Sequence, residues 1–360
     1  MKRHCLTAIC LVISTLLLHG QGREPLSRLL DKLDKQLELR TTYEQNRLQR
    51  INALKSVLQY QDLSPEQRYG FYQQIIDEYK AYNFDSTMHY IEISDNLANS
   101  LDIRKYRDES RIRRGLIFAT SGNFFESGDI LYNEIDSLQL DPSLLPEYYR
   151  ALQRLAAELS EYSTDPATKE MSRARKDYYR EKILELLDRQ SDEYLYYRFQ
   201  EAYEKDDLDR ADSIAHILVS RHKESSHQYA IYAYHLSTVY QNLGDVNLQM
   251  EWLARSAMAD IQSAVKDHAS LTRLATVLFE TGGNIERAFR YIDISLADAL
   301  FYNAKLRPWQ VAGVLPQIEK AYQEKQVAQT KRVKAFLISI SALLLILILA
   351  IGYLVKQTRR

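Results

Sequence analysis

Between Ala167 and Leu243 the chain carries neither glycine nor proline. Sheets of short strands need turn residues every ~8–12 positions, so a breaker-free run of this length is built from helices. The whole chain shares the bias. It has 11 glycines and 7 prolines in 360 residues, against usual shares of roughly 7% and 5%. Barrels and sandwiches are disfavoured, and the length itself admits about two domains. Apolar residues recur at helical spacing: Tyr69, Tyr72, Ile76 and Tyr79 share one face, as do Leu236, Val239, Tyr240 and Leu243.

The breakers that exist stand at intervals: Pro65, Gly122-Asn123, Pro142, Pro166, Gly244-Asp245 and Gly282-Gly283. A turn, then an apolar residue, then a helical stretch recurs at Tyr82-Asn83-Phe84, Gly122-Asn123-Phe124, Asp206-Asp207-Leu208, Gly244-Asp245-Val246 and Gly283-Asn284-Ile285. The spacings are 40, 84, 38 and 39, and the 84 holds two periods with a degenerate unit near 160–166. This is the tetratricopeptide layout, two antiparallel helices per unit, in a divergent form. The period exceeds the usual ~34, and Gln249 stands where a small residue is common. The fold expected is all-α: a tetratricopeptide-like helical-repeat solenoid followed by a single transmembrane helix. Residues 26–60 carry Leu30, Leu33 and Leu37, then Leu48, Ile51 and Leu58. They predict one long helix or a hairpin capping the solenoid, or alternatively a coiled-coil dimer seam interrupted at Arg40 and Glu44.

Both ends are apolar. Residues 1–22 have the form of a signal peptide: Lys2 and Arg3, the apolar run Leu6–Leu18, then Gly20 and Gly22 as cleavage positions. That run of 13 residues is too short to span a bilayer. Its removal takes away Cys5 and Cys10, the chain's two cysteines, and moves the formal charge from −1 to −3. Ala335–Val355 is apolar for 21 residues, interrupted only by Ser339 and Ser341. As a helix it is about 31 Å long, the thickness of a bilayer core, and Tyr353 sits near one edge. Lys331, Arg332 and Lys334 precede it and Lys356, Arg359 and Arg360 follow, so the flanking charges are balanced. An exported start then orients the chain: residues 23–325 in the periplasm, 335–355 in the inner membrane, 356–360 in the cytoplasm. No domain fits in those five residues. The chain therefore acts through partners or is the front part of a longer protein.

Motifs for chemistry are missing. There is no HExxH, GxSxG, phosphate loop or GxGxxG, and His222 and His227 are five apart, off any single helix face. No cofactor, metal site or catalytic residue is called for, and a non-enzymatic chain is expected. A net charge of −1 gives no pull toward nucleic acid. Two features suit a ligand. Arg104, Arg107, Arg111 and Arg114 line one helix face, and guanidinium forks grip carboxylates. The bland alternative is a solvated face, since Asp108 sits four after Arg104 and Glu109 four after Lys105. Tyrosine is the other: 26 residues, among them Tyr196, Tyr197, Tyr232 and Tyr240. Tyrosine is a binding anchor on concave surfaces and would stack on sugar rings, but it also fills helix seams with its hydroxyl reaching water. Trp252 and Trp309 are expected in the core.

The order of parts, with Ser256–Val265, Ala269–Leu271, Arg287-Ala-Phe-Arg-Tyr291, Ser295–Leu300, Asn303–Arg307 and Leu315-Pro316, resembles the membrane-anchored tetratricopeptide-type regulators of Bacteroidota. Their best-known relatives govern starch and other polysaccharide-utilisation genes. The similarity covers nearly all of residues 24–356. It implies a sensor whose periplasmic repeats bind a small ligand, such as an oligosaccharide, or a protein partner, and signal to a cytoplasmic transcriptional output. In that family a coiled coil and a helix-turn-helix-like region follow the span, and neither is in this sequence. Nucleic-acid binding is therefore not expected of this portion, while homodimerisation is left open. An envelope scaffold organising a complex through its repeats is the alternative.

Overall fold

The computed structural model describes residues 25–358, except 61, 267–268 and 304. The expected signal peptide, 1–22, lies outside the described residues. Every regular element described is helical. α1 (Leu26–Glu38) and α2 (Arg40–Val57) open the body. Paired helices follow: α3 (Pro65–Tyr79) with α4 (Phe84–Ser100), α5 (Arg104–Ser121) with α6 (Phe124–Asp129), and α7 (Leu145–Tyr162) with α8 (Pro166–Leu186). Next come α9 (Asp192–Glu204) with α10 (Leu208–Ser220), α11 (His227–Asn242) with α12 (Val246–Gln262), and α13 (Ser270–Glu280) with α14 (Ile285–Tyr302). The short α15 (Leu306–Ala312) leads into α16 (Leu315–Thr358). The double spacing in the sequence is filled by α7 and α8, which turn at 163–165.

The recurrent turns work as helix starts. The side chains of Asn83, Asp165, Asp207, Asp245 and Asn284 each accept a hydrogen bond from a backbone N–H of the first turn that follows. Each such cap contributes about 1 kcal/mol. Just before the cap the backbone often turns left-handed, at Gly122 (φ 90°), Asp206 (φ 60°) and Gly244 (φ 75°). Small residues then let paired helices close: Ala211, Ala230, Ala233, Ala254, Ala257 and Ala288 are buried. Gln249, out of pattern for its position, is buried and donates from Nε2 to Gln241 Oε1 (3.3 Å).

α1 and α2 are neither a hairpin nor a cap on one end. They are interrupted only at Leu39, whose backbone stays right-handed helical. Leu29, Leu30, Leu33 and Leu37 of α1 enter the core formed by α12, α13 and α14. Ile51 of α2 packs instead with Ile75 and Tyr79 of α3. The segment thus joins the first and last pairs of the repeat. Because the α1 leucines are buried within their own chain, they are not a dimer seam.

Further bonds tie the two ends. The Tyr302 hydroxyl donates to the Lys80 carbonyl (2.9 Å), and Arg47 donates to the carbonyls of Glu78 (2.6 Å) and Ser263 (2.7 Å). The Lys266 backbone N–H donates to the Ala81 carbonyl (2.8 Å) while its buried ammonium reaches Asp298 (2.6 Å) and Glu44 (2.5 Å). The repeat is closed on itself.

α16 has two parts. Its first turns are docked on α14: Ile318 is buried, Phe289 stacks on Tyr322 (centroids 4.2 Å apart), and Lys325 pairs with Glu286 (3.3 Å). Beyond that it is exposed, first polar and basic up to Lys334 and then apolar, with a stretch of mean hydropathy 2.9 long enough to be a candidate membrane span. Ser339 Oγ donates to the Ala335 carbonyl (2.9 Å), so the hydroxyl is satisfied within the helix.

Candidate functional site

The first helices of several pairs meet on one side of the repeat. There α5, α7, α9, α11 and α13, with α12 and α15, surround a cleft of about 600 Å³. One wall is aromatic. Tyr196 of α9 lies 6.1 Å from Tyr232 and 5.1 Å from His235, both on α11. The spacing explains this: His227, Ile231 and His235 recur every four residues and so share one face of α11. Burial, then the Arg154 charge, pulls His235 down to about 4, so the imidazole is neutral near pH 7. Burial, then Asp192, pushes the Tyr232 phenol up to about 12, which keeps it a hydrogen-bond donor.

The other walls are polar. Arg150 Nε donates to Glu193 Oε1 (2.6 Å) across α7 and α9. Arg154, one turn on, pairs with Glu158, and its Nε is buried with no hydrogen-bond partner among the described residues. An unsatisfied buried donor at the edge of a cleft is costly unless a bound molecule or water accepts from it. His227 Nδ1 lies 2.8 Å from Asp260 Oδ1, and Ser256 Oγ is 2.5 Å from Ser270 Oγ. His227 also borders a second depression, of about 930 Å³, against α2 and α3. Charges here are matched within the protein, so the cleft suits a neutral, hydroxyl-rich or peptide-like molecule more than an ion.

Of the eight candidate residues, the structure brings only Tyr196 and Tyr232 to this cleft. Tyr197 is buried beneath it, and burial raises its phenol. Tyr240 is half-buried in the α9–α12 core. The arginine stripe is a staple: Arg104 bonds Asp108 (3.4 Å) and Gln139, and Arg107 bonds Asp102 (2.7 Å). Arg111 and Arg114 share Glu134, which holds the one-turn π-helical extension of α6 against α5. Trp252 is half-buried against His216. Trp309, expected in the core, is 67% exposed. Pro308 falls within the first turn of α15, a position proline tolerates, so the ring projects from a short helix instead of entering a seam.

Sequence reasoning missed Arg154, Glu193, His227, His235, Asp260 and Gln310. The four-residue step Arg150–Arg154 and the eight-residue step His227–His235 were available signals. Their meaning depended on knowing which helices face inward. Among the described residues no group of three His, Cys, Asp or Glu side chains is placed to hold a metal ion.

Residues 37–313, well over half of the chain, match the family described as the SusR N-terminal TPR domain. The match takes in α2 to α15 and begins within α1. No curated protein matches the chain.

Proposed function

The chain belongs to the SusR N-terminal TPR domain family, that of a starch-utilisation regulator, and on that premise we propose that it is a membrane-anchored sensor. Residues 1–22 are its signal peptide, 23–325 its periplasmic repeat domain, 335–355 its span of the inner membrane, and 356–360 lie on the cytoplasmic side. The cleft takes an oligosaccharide. Sugar rings present apolar C–H faces to Tyr196 and Tyr232, and their hydroxyls meet donors and acceptors such as Arg154 Nε and Glu193. The occupied state alters α16 and thereby a cytoplasmic transcriptional output. Chemistry on the ligand has no role in this reading.

The observation that carries the reading is the joining of parts: an aromatic cleft with an unsatisfied donor, in a repeat whose last helices continue into the apolar α16. Expression profiling of a deletion strain tests it. Loss of induction of glycan-utilisation genes beside the locus is the expected result. Unchanged transcripts, together with envelope proteins stably co-purifying with the chain, would favour a scaffold. Exposed apolar side chains such as Phe125 and Leu138 offer that alternative its docking points, since repeat domains of this kind bind proteins.

A further inference from the structure

Occupancy of the cleft needs a path to α16, and one short helix touches both. On one side of α15, Gln310 lines the cleft and donates from Nε2 to the hydroxyl of Tyr162, the last residue of α7. Its neighbour Trp309 meets the same Tyr162 ring edge-on, with centroids 6.0 Å apart. On the other side, Val311 is buried in the core that also holds Ile318 of α16. Behind α15, the Lys305 N–H donates to the Ser121 carbonyl (3.1 Å), fixing its start to the end of α5. Only Gly313 and Val314 separate α15 from α16. With so short a link, and with Val311 and Ile318 in one core, a tilt of α15 cannot be absorbed before α16. From there α16 is unbroken to Thr358.

We propose that α15 is the readout element: its Gln310–Trp309 edge senses the state of the cleft through Tyr162 and sets the position of the first turns of α16. This rests on the sensing role proposed for the cleft. Gln310 and Tyr162 are here positioning residues. A ligand that displaces the Tyr162 hydroxyl from Gln310, or adds a bond to either, stabilises one placement of α15 over another. A ligand shifts such an equilibrium only by its differential affinity for the two placements. A helix of 7 residues with few buried side chains is the kind of element that moves at low cost.

The test is amide hydrogen exchange on the full chain in lipid nanodiscs, read in peptides covering residues 315–326. Tyr162→Phe and Gln310→Ala each remove the contact from opposite sides. Each is expected to speed exchange in 315–326 on the order of fivefold, the worth of one net hydrogen bond, with α9 and α10 unchanged. Unchanged exchange in 315–326 in both variants overturns the proposal. So does a rise spread evenly over α9 and α10 in both, which would mark general loosening. Maltohexaose, a starch fragment, supplies a second arm. If it raises the melting temperature of the wild type but leaves 315–326 untouched, the relay falls and the sugar reading stands. If it does nothing while both variants still speed exchange in 315–326, the relay stands and the sugar reading falls.

Discussion

Tyr291 and Tyr302 are among the largest fully buried side chains, and each keeps its hydroxyl on a partner. Tyr291 donates to Asp34 (2.9 Å), and Tyr302 to the Lys80 carbonyl (2.9 Å). Other buried tyrosines are of this kind, with the ring in a helix seam and the hydroxyl donating to a carbonyl: Tyr69 to Tyr106 (3.2 Å) and Tyr148 to Leu131 (3.0 Å). Tyr291→Phe should cost about 1 kcal/mol in a denaturant melt, because Asp34 keeps Arg287 as a partner. Two glycines make opposite forecasts. A Cβ on Gly115 would sit 2.7 Å from the Leu131 side chain, whereas Gly70 has nothing within 4 Å. Gly115→Ala should therefore destabilise by ~1–3 kcal/mol. Gly70→Ala, in the interior of α3, should stabilise by up to ~1 kcal/mol. His235 gives the pH dependence. Its folded value, about 4, lies below the ordinary 6.5, so between those values the unfolded chain binds the extra proton. Stability is fully present above pH 6.5 and declines as pH falls from there toward 4, by about 3 kcal/mol from this group. His235→Gln should flatten that part of the pH–stability curve.

The helices and their starts were legible because their causes are local. An Asn or Asp stands at each of the recurrent helix starts, and a left-handed residue lies one or two positions before it at Gly122, Asp206, Gly244 and Gly282. Hence the turns at Asn83, Asn123, Asp207, Asp245 and Asn284 fall where the spacing placed them. Asp207→Ala and Asp245→Ala should each cost about 1 kcal/mol by chemical denaturation. α16 was legible as an apolar run, but its docking on α14 through Phe289 and Tyr322 was not. That contact joins residues with no shared local pattern. The destination of α1 was equally hidden. An amphipathic leucine stripe states that a face is buried, not whether a sister chain or a distant part of the same chain buries it.

Closure and the cleft belong to the molecule as a whole, and neither has a local signature. Arg154, Glu193, His235 and Gln310 come from four helices, and only the superhelix brings them together. The arginine stripe misled for the same reason. Glu134, which neutralises Arg111 and Arg114, sits 20 or more residues downstream and reaches them only through the turn of α6. Lys266, beside Glu44 and Asp298, is the ionic part of the closure. Lys266→Met should destabilise by ~3–5 kcal/mol by leaving the buried Asp298 carboxylate unneutralised. Adding Asp298→Asn should recover part of the loss, and a double-mutant cycle measures how much. The central claim is that the aromatic cleft binds a glycan, and calorimetric titration of the full chain in nanodiscs with maltohexaose tests it most directly. The account predicts saturable binding at one site per chain, weakened at least tenfold by Tyr196→Ala, a loss of about 1.4 kcal/mol. Heat indistinguishable from dilution in the wild type, or equal affinity in Tyr196→Ala, would contradict it.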